Sequence, residues 1–219
     1  MQRATFLYYT VLQGRQAELL MKMKPEAILF DMDGVLIDSL ESWLASLNAA
    51  LRFLNHKEIS RDEFVKKYWG HDLYDNLERM GLSRDIGIFC NDVYSDHLDE
   101  VRMYPDTKDT LQKLSGYRKG IITNTPKVCA YEIMKQFDLE KYFDIVVTSD
   151  DVDKAKPNPE IVLRACEVLG VKPKDVVLVG DTNSDVEAGK AAGCTVIGVN
   201  IDADYTVNDI SELTRLIEE

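Results

Sequence analysis

The sequence predicts an α/β fold on a doubly wound parallel sheet, with an all-helical subdomain inserted near its start. Three observations carry this. Short β-rich runs alternate with helical spacing, Gly and Pro punctuate the helices between them, and residues 39–103 carry helical spacing with no strand run of comparable quality. The chain then divides into an extension over 1–22, an α/β core over 23–38 and 104–219, and a helical insert over 39–103.

The first clear strand, Ala27 to Phe30, comes only after Pro25. Ahead of it, Thr5 to Leu12 reads as an extra strand or a docking segment, Met21 and Met23 as alternative starts, and a dispensable extension as the simplest account. Within the insert, Ser60-Arg61-Asp62-Glu63 has the capping-box pattern, and Gly70 and Gly81 mark helix ends. Further strands are expected at Gly120 to Thr123, Ile145 to Thr148, Val176 to Val179 and Thr195 to Val199. Asn158-Pro159 reads as an N-cap with proline at the first helical position. Gly170 and Gly193 stop the last two long helices. Such a repetition implies a parallel sheet covered on both faces.

The 219 residues carry 26 Lys plus Arg against 38 Asp plus Glu, a net charge of −12, which argues against nucleic acid and anionic membrane surfaces as partners. Ala4 to Leu12 is about half the length of a membrane span. Cys90, Cys129, Cys166 and Cys194 stand far apart in sequence, which suggests reduced thiols and a cytoplasmic protein.

Ligands of a doubly wound sheet sit at the carboxyl ends of its strands. Those ends carry Asp31-Met32-Asp33-Gly34, Thr123-Asn124-Thr125-Pro126, Ser149-Asp150-Asp151 with Lys154-Ala155-Lys156-Pro157, and Gly180-Asp181-Thr182-Asn183-Ser184-Asp185. Singly, each is an ordinary loop or cap residue. Together, so many carboxylates at one rim imply a hard divalent cation, Mg²⁺. Asp31 is the best-aimed nucleophile, and Asp33 the general acid and then base. Asp181 is the candidate metal ligand, with Asp185 supporting it through water. Gly34, Thr123, Asn124 and Lys156 are candidates for holding the phosphoryl group. Asp150, Asp151 and Asp153 read as a solvated loop.

These motifs resemble the haloacid dehalogenase superfamily. Asp31 to Ser39 is similar to its first motif, Thr123 to its second, Lys156-Pro157-Asn158-Pro159 to its third, and Gly180 to Asp185 to its fourth. The resemblance implies a Mg²⁺-dependent phosphatase acting through an aspartyl-phosphate, with catalytic Asp31, Asp33, Thr123 and Lys156. It also implies that the backbone carbonyl of Asp33 joins Asp31 and Asp181 around the metal, and that the insert is a cap selecting a small phosphorylated metabolite. Asp33 separates the chain from the family's dehalogenases and phosphonate hydrolases, which lack that acid. Gly180-Asp181 and Trp43 separate it from the β-phosphoglucomutase branch and leave phosphoglycolate-phosphatase-like hydrolases as the nearer likeness. A phosphomutase and a non-enzymatic phospho-acceptor domain stand as alternatives. Around Tyr68-Trp69-Gly70-His71, a packed Trp and a surface His are the simpler expectation, and a substrate lip the alternative.

Overall fold

The computed structural model describes residues 24–217; the predicted extension over 1–22 lies outside them. Its six-stranded sheet runs β5-β4-β1-β6-β7-β8, with every neighbouring pair parallel. The strands are β1 (Ala27–Phe30), β4 (Arg118–Thr123), β5 (Ile145–Thr148), β6 (Val176–Gly180), β7 (Thr195–Val199) and β8 (Tyr205–Val207). The chain builds outward from β1 through β4 to β5, then returns to the other side of β1 with β6. That reversal makes the carboxyl end of β1 the natural ligand crevice.

Alternation along β1 sends Ile28 and Phe30 into one buried cluster and Ala27 and Leu29 into the other, so both faces of the sheet are covered. The helices α5 (Thr107–Lys113), α6 (Lys127–Gln136) and α9 (Leu213–Ile217) pack on the Phe30 face. On the Leu29 face, α7 (Glu160–Leu169) contributes Ile161, Val162 and Ala165, and α8 (Asn183–Ala192) contributes Ala188. Both of these helices end on the expected glycine, Gly170 or Gly193, in left-handed conformation. The start of α7 lies one residue later than predicted. Pro159 holds the cap position, while the Asn158 side chain still accepts from Glu160 N–H at 3.0 Å.

The insert contains α1 (Leu40–Phe53), α2 (Arg61–Lys67), α3 (Leu73–Arg79) and α4 (Ile86–Asp96), closed around Leu47, Phe64, Leu77 and Cys90. The insert is helical as expected, with one short ribbon at its base. There β2 (Ile37–Asp38) pairs antiparallel with β3 (Arg102–Met103), Ile37 opposite Met103. Two residues are too few to show alternation in a sequence. Ser60 caps α2 by accepting from Glu63 N–H, but Glu63 pairs with Lys67 at 2.7 Å, so only half of the capping box is present. Trp43 of α1 stacks on Tyr94 of α4, with centroids 3.9 Å apart, where the insert meets the sheet's helices.

Candidate active site

Asp31 follows β1 directly, its N–H bonded to Val179 O at 2.9 Å. Its Oδ1 accepts from Met32 N–H at 2.7 Å and from Lys156 Nζ at 2.8 Å. Lys156 reaches the same point from the loop after β5. It is only 1% exposed, and its ammonium also bonds Asp185 Oδ1 at 2.8 Å and Ile122 O at 3.2 Å. Burial works against its charge, yet the Asp185 and Asp31 carboxylates more than offset this and hold its pKa above the usual lysine range.

Asp181 and Asp185 arrive with the turn from β6 into α8. Thr182 caps α8, and Asp185 completes a full capping box: its Oδ2 accepts from Thr182 N–H at 3.0 Å and from the Thr182 hydroxyl at 2.6 Å. Asp31, Asp181 and Asp185 each present a carboxylate oxygen within 4.8 Å of the other two. Asp185 therefore sits in the acidic group itself, fixed by Lys156 and Thr182. One ammonium cannot neutralise two buried carboxylates and a half-buried third. Burial, and next Asp185, push the Asp31 pKa well up, and the same two causes raise Asp181 to about 7. Asp181 Oδ1 is buried with no hydrogen-bond partner.

Asp33 turns away from this group. Its Oδ2 accepts from the Thr125 hydroxyl at 2.6 Å and from the Thr123 hydroxyl at 3.3 Å, and its Oδ1 from the Ser39 hydroxyl. Ser39 stands at the N-cap of α1, but its side chain makes no capping bond there. Gly34 has φ +79°, and a Cβ there would lie 2.0 Å from Asp181 Oδ2. Gly34→Ala is accordingly expected to cost about 1–3 kcal/mol from backbone strain alone and to displace the Asp181 carboxylate. Urea denaturation beside a turnover assay checks both effects.

The side chain of Asn124 is occupied. Its Oδ1 accepts from Lys156 N–H, and its Nδ2 donates to Lys156 O, both at 2.9 Å. The same Nδ2 donates to Gly70 O in the insert at 3.1 Å, so one amide ties β4, the lysine loop and the insert together. Gly70, at φ +76°, lies so close to Thr182 that a Cβ would meet its Cγ2 at 2.7 Å. The turn at Tyr68 to His71 therefore approaches the strand ends, and all four residues line a cavity of about 60 Å³ with Asp31, Asp33, Thr123, Asn124, Thr125 and Lys156. Trp69 is packed as expected, its ring edge-on to Phe64 at 6.0 Å, but His71 is half-buried and lines the cavity instead of lying on the surface.

Asp150, Asp151 and Asp153 stay outside this group. Asp150 accepts from Lys127 N–H at 2.7 Å, and Asp151 caps Thr148 and pairs with Lys127 Nζ at 2.8 Å. Cys166 and Cys194, distant in sequence, meet side chain to side chain in the Leu29-face cluster; all four cysteines are free and buried. Among the described residues no helix is long and apolar enough to cross a membrane. Sequence reasoning assigned no role to Thr125 or Asn76 and placed Ser39 only at the end of the first motif, yet all three belong to this neighbourhood. Hydroxyls at Thr123 and Thr125, two apart at a strand end, were the available signal, and such pairs are common.

Residues 28–199 match the haloacid dehalogenase-like hydrolase family. The pyrophosphatase PpaX of Bacillus mycoides (strain KBAB4) is 31% identical over 211 residues, covering 89% of this chain and 98% of that protein. A HAD phosphatase from Thermococcus onnurineus has 30% identity and a TM-score of 0.67, covering 88% of this chain and 98% of its own. CbbY from Rhodobacter sphaeroides, solved in complex with phosphate, superposes with a TM-score of 0.79 at 22% identity over 88% of this chain and 99% of its own, a likeness of fold.

Proposed function

Because the chain belongs to the haloacid dehalogenase-like hydrolase family, we propose that it hydrolyses a small phosphomonoester through an aspartyl-phosphate formed on Asp31. The observation that carries this reading is the convergence of Asp31, Asp33 and Lys156 on one small cavity beside three clustered carboxylates. Similarity to proteins named as phosphatases supports it.

The donor set fits Mg²⁺. Oxygen ligands from Asp31 and Asp181, an unpartnered Asp181 Oδ1, and a surplus of negative charge are what a hard divalent ion requires. Asp185 stands beside them, and the Asp33 carbonyl joins them by the family resemblance. Bound there, the ion would neutralise charge on the phosphoryl oxygens.

The chain's own groups carry the reaction. Asp31 Oδ1 is held by Met32 N–H and Lys156, which leaves Oδ2 to attack phosphorus. Asp33, oriented by Thr123, Thr125 and Ser39, gives its proton to the departing alcohol. It then takes a proton from the water that cleaves the phosphoenzyme. Thr123, the Asn124 backbone amide and Lys156 hold the phosphoryl group, while Gly34 N–H donates to Ile37 O at 2.8 Å and so offers it no bond, and the insert closes over it as a cap.

Phosphate release from a panel of phosphomonoesters, in excess chelator and after added Mg²⁺, tests the reading. Activity should vanish with chelation and return with the ion. Full activity in chelator would reject the metal, and transfer without phosphate release would indicate a mutase.

A pH dependence follows. Asp181 has a folded pKa of about 7, above its ordinary value near 4, so the folded, cation-free protein keeps a proton that the unfolded chain releases. The stability linked to that proton is full below about pH 4 and lost as pH rises through about 7. The melting temperature in chelator should fall across that window. Mg²⁺ at 100 times its dissociation constant should restore about 2.7 kcal/mol near pH 7 and less at pH 5, where protons compete for the ligands.

A further inference from the structure

We propose that the insert side of the cavity selects phosphomonoesters whose leaving group is uncharged and bears a hydroxyl, with Asn76 Oδ1 as acceptor for that hydroxyl. This rests on the phosphatase reading and narrows it.

Asn76 lies in α3, lines the cavity and is 5% exposed. Its Nδ2 donates to Tyr68 O at 2.9 Å, which sets the amide orientation, because two carbonyl oxygens would repel there. Oδ1 is then left buried without a partner. A buried acceptor left without a partner is costly, and what it needs is a donor. An ionised carboxylate or phosphate has none to give.

Charge points the same way. Among the described residues no arginine lines the cavity, and Lys156, the single lysine there, is committed to Asp31, Asp185 and the phosphoryl group, which leaves it no charge for a second anion. His71, the remaining basic group on the insert side, has its pKa lowered by burial and then by Arg79, so it is neutral near pH 7. A second anionic group would be buried against Trp43, Tyr68 and Trp69 with no cation to meet it, at a cost that excludes it. Pyrophosphate and phosphoglycolate each carry such a group. A short phosphorylated polyol does not, and its carbons suit the aromatic faces.

The test compares four substrates on the wild-type protein with Mg²⁺, reading phosphate release: glycerol 1-phosphate, n-propyl phosphate, phosphoglycolate and pyrophosphate. Glycerol 1-phosphate should exceed n-propyl phosphate in kcat/KM by at least about tenfold, mainly through KM, and exceed both competitors that carry a second anionic group by roughly a hundredfold. In Asn76→Leu the glycerol-to-propyl ratio should fall toward one. That ratio is insensitive to a general loss of active enzyme, and the wild-type comparison decides without the variant. Faster turnover of pyrophosphate or phosphoglycolate, equal turnover of the two esters with uncharged leaving groups, or an unchanged ratio in Asn76→Leu would overturn the proposal while leaving the phosphatase intact. Failure to release phosphate from all four and from p-nitrophenyl phosphate would overturn the phosphatase reading itself.

Discussion

Asp31→Asn is expected to lower kcat by roughly 10⁴-fold or more and to leave the fold in place. An amide cannot form the acyl phosphate, and no neighbouring group can take over: Asp33 faces Thr125 and Thr123, and Asp185 is bound on both oxygens by Lys156 and Thr182. Asn keeps an oxygen for Met32 N–H, so the local backbone bond survives. Removing one negative charge from a group already short of cations also relieves repulsion. The chelated variant should therefore melt no lower than the chelated wild type. Turnover of purified variant beside wild type, each with a melting curve in chelator, separates chemistry from stability. Retained turnover would remove Asp31 from the nucleophile's role.

Lys156→Met is expected to destabilise by about 3–5 kcal/mol, the cost of breaking a buried ionic cluster from one side. Among the described residues no other group pairs with Asp31 and Asp185 as a cation, and the ammonium is fully enclosed. Methionine fills the space of the chain but leaves the carboxylates in a dry pocket without compensation. They would answer by taking up protons, so the deficit should be smaller at pH 5 than at pH 7. Urea denaturation in chelator at the two pH values checks the magnitude and the sign. A loss that is the same at both would mean that packing, not charge, is what Lys156 supplies.

The strand framework was legible because it depends on local pattern. Runs such as Ala27 to Phe30 and Thr195 to Val199 have the bounds expected, since β-rich segments set off by glycine, proline and polar residues have few other structures open to them. β8 and the β2–β3 ribbon were not, because two or three residues carry no period and form only where the rest of the fold supplies a partner. The same division runs through the candidate site. Strand-end position brought Asp31, Asp181, Asp185 and Lys156 forward as a set, and the folded chain gathers them. The clamp made by Asn124 was hidden, because it joins residues 32 and 54 positions away. Ser39 stood only as the last residue of the first motif, and Asn76 carried no reading at all. What distinguishes each is a contact decided by tertiary packing, and no spacing rule reports it.

The small ribbon at the base of the insert has a consequence for how such a protein can change. Chain leaving at Asp38 and chain returning at Arg102 are paired neighbours, about one strand spacing apart. A different run of residues can then be spliced between those two points without altering the register of β1 with β4 or β6. If the insert selects the substrate as proposed, the reaction chemistry and that choice are written in separable stretches of one gene, and a lineage can exchange the second while keeping the first.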